Sequence, residues 1–353
     1  MIVLCNNAEP YRTSSARTCN LSRGRPDQQE VQDPVSSRRR ILFICGSMNQ
    51  TTQMHEISRH LAEFEHAFTP YYCDGLHEIL RRSQLMEHTV IGNRLADRCH
   101  RYLQKQGLAI DYGGRQQSYD LVVACSDVYL PRNIRGMPIV LVQEGITDPE
   151  NSVFRFVQRF RFLPLWLAGT AATGLSNAYL RFCVASEGYR DLFVRKGADP
   201  ARIVITGIPN FDDCQRYCDN EFPHLNYILA CTSPLRETFR REDRPAFIRE
   251  VVRIAAGRPI IFKLHPNEKV KRATREIARH APGAMVFSNG SAGEMIANCD
   301  ELVTRFSSTA FVGLALGKPT HSDVNMDELR RLLPLQNHSA AANIAGVCRQ
   351  FLQ

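Results

Sequence analysis

Three short segments each put titratable or hydroxyl groups directly after an apolar run. Phe262-Lys263-Leu264-His265-Pro266-Asn267-Glu268 supplies a cation, an imidazole and a carboxylate. Imidazole titrates near neutrality, so His265 can carry a proton or donate to a phosphate oxygen. Pro266 lacks an N–H and fixes its own φ, which helps to hold that ring in one direction. Arg305-Phe306-Ser307-Ser308-Thr309 places three hydroxyls where a helix running to Leu316 begins. Hydroxyls and free N–H groups at a helix start can cradle a phosphate; the same residues also serve as ordinary N-caps. Cys231-Thr232-Ser233-Pro234-Leu235-Arg236 brings hydroxyls and an arginine to a strand end. That set suits a diphosphate, or a plain Ser-Pro turn.

A fourth segment lies in the first half, where Gln143-Glu144-Gly145 follows the run Ile139–Val142. The glycine permits a sharp turn, and a carboxylate at such an edge can take the proton of an acceptor hydroxyl. A solvated loop acid is the plainer alternative. Gly46 and Ser47 would line the same acceptor side, and Gly207 of Gly207-Ile208-Pro209-Asn210 is assigned to the phosphate side. Metal ligation is not expected. There is no Asp-Xaa-Asp motif, and Cys214 and Cys218 have no matching His or Cys pair.

Such groups act together only if the elements bring them to one edge. Arg40 to Ile44 is a short run closed by Gly46-Ser47, as in the buried first strand of a parallel sheet. The spacing of Ile57, Leu61 and Phe64 predicts a helix over 54–64, with a strand at 67–73 and one or two helices over 76–103. Strands at 121–124 and 139–142 follow. A second series has strands at 182–185, 203–206, 227–231, 259–263, 285–287 and 301–304. Helices at 188–196, 273–281, 293–298, 309–316 and 344–352, and one opened by Asp243 and Pro245, alternate with them, and Gly197 and Gly257 act as stops. This rhythm predicts an α/β protein of two Rossmann-like, doubly wound domains, residues 40–210 and 211–353, with the boundary near 205–225. Residues 1–39, rich in Ser, Arg and Gln, read as a disordered tail. Ligands of such sheets bind beyond the carboxyl ends of the strands, where all four segments fall.

The 353 residues, 44% apolar and 23% charged, suffice for two cores. No apolar run reaches the roughly 18–20 residues of a membrane span, and Met1–Cys5 is too short for a signal segment. The 12 cysteines are scattered, without a CxxC pair, which fits buried thiols in a reducing compartment and a cytoplasmic location. A net charge of +8 falls short of a nucleic-acid footprint and suits phosphorylated substrates near anionic lipid. In the stretch 154–182, Phe154, Phe156, Phe160, Phe162, Leu165, Trp166 and Leu167 interleave with Arg155, Arg159 and Arg161. Either peripheral contact with the inner membrane surface or a core-facing helix with a basic outer side fits this pattern.

The motifs of the second half resemble those of GT-B glycosyltransferases. The nearest pattern is that shared by CDP-glycerol glycerophosphotransferases, bacterial polysialyltransferases and capsule glycosyltransferases. His265-Pro266 and Ser307-Ser308-Thr309 resemble the His-Pro and Ser-Ser/Thr motifs with which those families grip the donor phosphates, and Ala315-Leu316-Gly317-Lys318-Pro319 is similar too. Gln143-Glu144-Gly145 resembles the acidic-acidic-Gly motif of the polysialyltransferases, with Gln for the first acid, and implies Glu144 as general base. The resemblance implies two domains facing a central cleft and a metal-independent inverting transferase that needs no cofactor. It would move a sugar or glycerol phosphate from a nucleotide sugar or CDP-glycerol to a glycan or lipid-linked acceptor, in surface polysaccharide or capsule biosynthesis. His265, Ser307, Ser308 and Thr309 would neutralise the leaving phosphate, with Lys263, Pro266, Glu268, Thr232, Ser233, Arg236 and Gly207 beside them. Ser186 to Asp213, with Lys196-Gly197 and Ile205–Asn210, is also similar to non-hydrolysing UDP-N-acetylglucosamine 2-epimerases of the same architecture. Those enzymes usually carry Ser-Gly-Gly-Xaa-Gln-Glu-Glu where this chain has Phe306-Ser307-Ser308-Thr309. An epimerase-like isomerase is therefore the alternative, and a nucleotide-sugar binding protein without turnover is a third.

Overall fold

The computed structural model describes residues 38–70, 74, 93–160, 163–238 and 241–353. Residues 1–37 of the expected 1–39 tail, the end of the 67–73 strand, the 76–92 part of the predicted helices, and Arg161 and Phe162 lie outside the described residues. In the first series the elements are β1 (Arg40–Ile44), α1 (Met48–Arg59), β2 (Glu65–Thr69), α2 (Asn93–Lys105), β3 (Leu121–Ala124), β4 (Ile139–Val142), α3 (Ser152–Arg159), β5 (Arg181–Val184), α4 (Glu187–Lys196) and β6 (Ile203–Ile205). The second has β7 (Ile228–Cys231), α5 (Arg244–Ala255), β8 (Ile260–Lys263), α6 (Val270–His280), β9 (Met285–Phe287), α7 (Ala292–Asn298), β10 (Glu301–Thr304), α8 (Thr309–Ala315), β11 (Thr320–His321), α9 (Met326–Arg331) and α10 (Ala340–Arg349).

Two parallel sheets result, in the orders β2-β1-β3-β4-β5-β6 and β11-β10-β7-β8-β9. Strands such as Leu-Val-Val-Ala of β3 and Ile-Val-Leu-Val of β4 are buried at every position, as a parallel sheet covered on both faces requires. Each sheet reverses its strand order beside its first strand, between β1 and β3 and between β7 and β10. Capping follows the sequence signals closely. The Ser47, Ser186 and Asp243 side chains accept first-turn N–H groups of α1, α4 and α5, and Gly197 closes α4 in a left-handed conformation. The helix expected to stop at Gly257 ends sooner, with Ala256 already left-handed at φ 48°.

The inner faces of both sheets share one core, in which Phe311 of α8 meets Tyr189 of α4 and Phe211 of the connecting segment, with centroids 6.2 and 6.3 Å apart. Phe247, Ile248 and Val251 of α5, with Ile277 of α6, cover the outer face of the second sheet. The outer face of the first sheet is covered by Met54 and Ile57 of α1 together with Ile344, Ala345 and Cys348 of α10. The last helix of the chain therefore closes the first sheet. In the 154–182 stretch, Phe154 and Val157 turn inward, as the core-facing reading expects, while Phe156, Phe160, Trp166 and Leu167 stand exposed. No described helix is long and apolar enough to cross a membrane.

Candidate active site

A cleft of about 560 Å³ opens at the carboxyl edge of the second sheet. It sits at the β7/β10 reversal, the place where open α/β sheets bind ligands. Thr232 follows β7, Lys263 and His265 come from the end of β8, and Ser307, Ser308 and Thr309 follow β10; all six line the cleft. Asn49, Thr52 and Glu56 of α1 face them from the first sheet.

His265 is the most constrained of these. Its backbone N–H donates to Glu268 Oε2 at 2.8 Å and to Thr232 Oγ1 at 3.2 Å. Asn267 N donates to the ring Nδ1 at 3.1 Å, which assigns the proton of the neutral ring to Nε2. Burial pushes the imidazole pKa down to about 4, and Lys263 and Arg98 push the same way. The ring is thus a neutral Nε2–H donor at physiological pH, and no described residue accepts from it. Lys263 Nζ donates to Leu264 O at 3.2 Å and Ser288 O at 3.4 Å, and burial lowers its pKa. One of its three N–H bonds remains for a ligand. Ser307 Oγ accepts from Thr309 N at 3.3 Å and from Thr309 Oγ1 at 3.0 Å, so Ser307 takes the capping work. The Ser308 side chain makes no cap, and its hydroxyl has no hydrogen-bond partner among the described residues.

On the first sheet, Glu144 is clamped at both oxygens. Ser47 Oγ donates to Oε1 at 2.8 Å and Gln50 Nε2 donates to Oε2 at 2.7 Å. Gln50 Oε1 in turn accepts from Gly46 N at 2.8 Å, which satisfies the amide of the buried Gln50. A Cβ added to Gly145 would lie 3.7 Å from Ser308 Cβ, so this loop packs beside the hydroxyl segment, although Gly46, Ser47, Gln143, Glu144 and Gly145 do not themselves line the cleft. Gln143 has a different task. Its Oε1 accepts from Ala185 N and its Nε2 donates to Gly145 O, both at 2.9 Å. A carboxylate could satisfy only the first.

No protein-family model matches the sequence, and a search of curated proteins gives no significant match. Solved structures do match. The chain is similar to UDP-GlcNAc 2-epimerase from Neisseria meningitidis bound to UDP-GlcNAc, with a TM-score of 0.54, 11% identity, and 88% of this chain covering 100% of that one. For the Methanocaldococcus jannaschii UDP-GlcNAc 2-epimerase with UDP-GlcNAc and UDP the values are 0.54, 13%, 88% and 99%. For the wall teichoic acid polymerase TagF soaked with CDPG they are 0.50, 11%, 92% and 91%. The chain has the GT-B fold.

Within this GT-B cleft several expected residues take other places. Glu268 is buried, with Oε1 2.5 Å from Arg244 Nη2 and Oε2 accepting from Thr232 Oγ1 and His265 N. It does not line the cleft and instead braces the His265 loop, because a buried carboxylate needs its cation. Arg236, expected at a diphosphate, is held by Glu276 through two 2.7 Å bonds and lies 3.2 Å from Glu242. Ser233 is buried, its carbonyl accepting from Arg244, and its Oγ has no partner among the described residues. Gly207, at φ 77°, lies against the start of α10, where an added Cβ would come within 3.1 Å of Ala340 Cβ. Conversely, the turn Gly290–Gly293 after β9 lines the cleft, as do Asn210, Arg216 and Tyr217. Asn210 ties the connection to α1, donating to Asn49 O at 2.8 Å and accepting from Thr52 Oγ1 at 3.2 Å. The Ser288–Gly293 turn follows a strand end just as the other cleft segments do, and its position after β9 is its signal in the sequence. Among the described residues, no group of three His, Cys, Asp or Glu side chains is placed to hold a metal ion.

Proposed function

We propose that this chain is a transferase that moves a sugar or glycerol phosphate from a nucleotide-activated donor to a glycan or lipid-linked acceptor, by an inverting reaction without a metal. The observation that carries the proposal is the convergence of a neutral His265 Nε2–H, the free Lys263 N–H and the Ser308 hydroxyl on one cleft at the β7/β10 edge. As the bond to the leaving phosphate breaks, its electron pair passes to a phosphate oxygen. Donors fixed in advance around that oxygen stabilise the charge as it forms. Glu144 accepts the proton of the attacking hydroxyl, with Ser47 and Gln50 holding its orientation. Solved structures of the same fold that carry UDP-GlcNAc, UDP or CDPG support a nucleotide in the cleft. The exposed Phe156, Phe160, Trp166 and Leu167 beside Arg155 and Arg159 offer a lipid-linked acceptor a place at an anionic surface. Absence of binding to anionic vesicles would remove that part.

His265→Ala tests the reaction. Loss of one such donor should lower turnover by about 10²–10³-fold while the circular dichroism spectrum is unchanged; near-normal turnover overturns the assignment. One observation favours the isomerase as a second reading: Glu56 places a carboxylate in the cleft, and such a group can strip a carbon-bound proton. Deuterium from heavy water entering UDP-N-acetylglucosamine, with no acceptor present, would establish it.

A further inference from the structure

A second cavity, of about 400 Å³, lies behind His265. It shares Lys263, His265, Pro266 and Gly290 with the main cleft, and beyond that shared wall it is lined by Ser288, Asn289 and Arg98. Arg98 comes from α2, on the first sheet, so both halves of the chain build this cavity. Its guanidinium is exposed, and among the described residues it has no acidic partner and no carboxylate lines the space. Two cations, an amide and a hydroxyl around one cavity suit an oxyanion, and guanidinium can hold a phosphate or carboxylate with two parallel bonds. The leaving phosphate already takes the hydroxyl segment and the His265 N–H in the main cleft. A second anion across the same wall needs a separate counter-charge, and a neutral imidazole cannot provide it.

We propose that this cavity is a subsite for an anionic group, phosphate or carboxylate, on the acceptor, with Arg98 as its main ligand. The proposal rests on the transferase reading. The test is calorimetric titration of glycerol 3-phosphate and, separately, glucuronate into the full chain, with and without a saturating nucleoside diphosphate. At least one of the two anions should bind the nucleotide-loaded protein, and which one identifies the acceptor's charged group. Arg98→Ala should weaken that binding about 10- to 100-fold, and Arg98→Lys should retain part of it. Nucleotide affinity and melting temperature should stay close to those of the unsubstituted chain, because Arg98 makes no hydrogen bond or ion pair among the described residues. If neither anion binds once nucleotide is present, or if Arg98→Ala changes nothing, the subsite is wrong. If no nucleotide binds but an anion still binds in an Arg98-dependent way, the transferase reading fails and the anion site stands.

Discussion

Replacing His265 with alanine should change how stability depends on pH, by an amount set by the burial of the ring. The imidazole pKa is about 4 in the folded chain against 6.5 as its ordinary value. Below the ordinary value the unfolded chain takes up a proton that the folded chain refuses. The neutral ring therefore gives stability that is fully present above about pH 6.5 and is lost as pH falls toward about 4. Linkage puts the loss at roughly 1 kcal/mol by about pH 5.5 and roughly 2–3 kcal/mol by about pH 4.5. His265→Ala cannot suffer this loss. Near pH 7.5 the ring's single internal hydrogen bond, from Asn267 N, is worth only about 1 kcal/mol, so the two proteins should be close there. Urea unfolding at the three pH values reads the difference, and every other titrating group cancels between the two curves. Parallel curves down to about pH 4.5 would refute the claim that burial and Lys263 hold this ring neutral.

Three further substitutions separate bracing from binding. Glu268→Ala leaves the buried Arg244 with Glu242 as its remaining carboxylate and takes the acceptor from Thr232 Oγ1 and His265 N, so it should cost about 1–3 kcal/mol in urea unfolding; a cost well under about 1 kcal/mol would show that Glu268 does not hold the loop. Gly207→Ala forces a side chain into a left-handed backbone against Ala340 and should lose about 1–3 kcal/mol, with the nucleotide Kd unchanged. A weaker Kd at full stability would return Gly207 to the phosphate site. Gln143→Glu removes the donor to Gly145 O and should cost about 1–3 kcal/mol without raising turnover; faster transfer would mean that the missing acid of the motif matters.

The strand ends were legible because a buried parallel strand is a short apolar run, and whatever polar residue follows it lies at the ligand edge. Lys263, His265 and Ser307 to Thr309 reach the cleft for that reason. What a strand end does not reveal is which neighbour claims a charged side chain. Glu268 and Arg236 sit in the right segments, yet Arg244 and Glu276, on helices distant in the chain, take them. The same holds for packing. The apolar spacing of 344–352 announces a helix but not its partner, and Ile344 and Cys348 pack on the first sheet. Gly207 shows the converse, since its value lies in the close approach of α10 and no local pattern records that. The Glu144 clamp was half visible: Ser47 was expected on that side, whereas Gln50 reads as an ordinary helix residue.

The most direct test is whether a nucleotide stabilises the chain through this cleft. With CMP, CDP, UDP and GDP screened by thermal shift and calorimetry, one should add about 2.7 kcal/mol near a hundred times its Kd. His265→Ala combined with Ser308→Ala should abolish most of that gain. If none of the four stabilises the chain, or if the double variant responds as fully as the unsubstituted protein, the phosphate-holding role of His265 and the Ser307–Thr309 segment is contradicted.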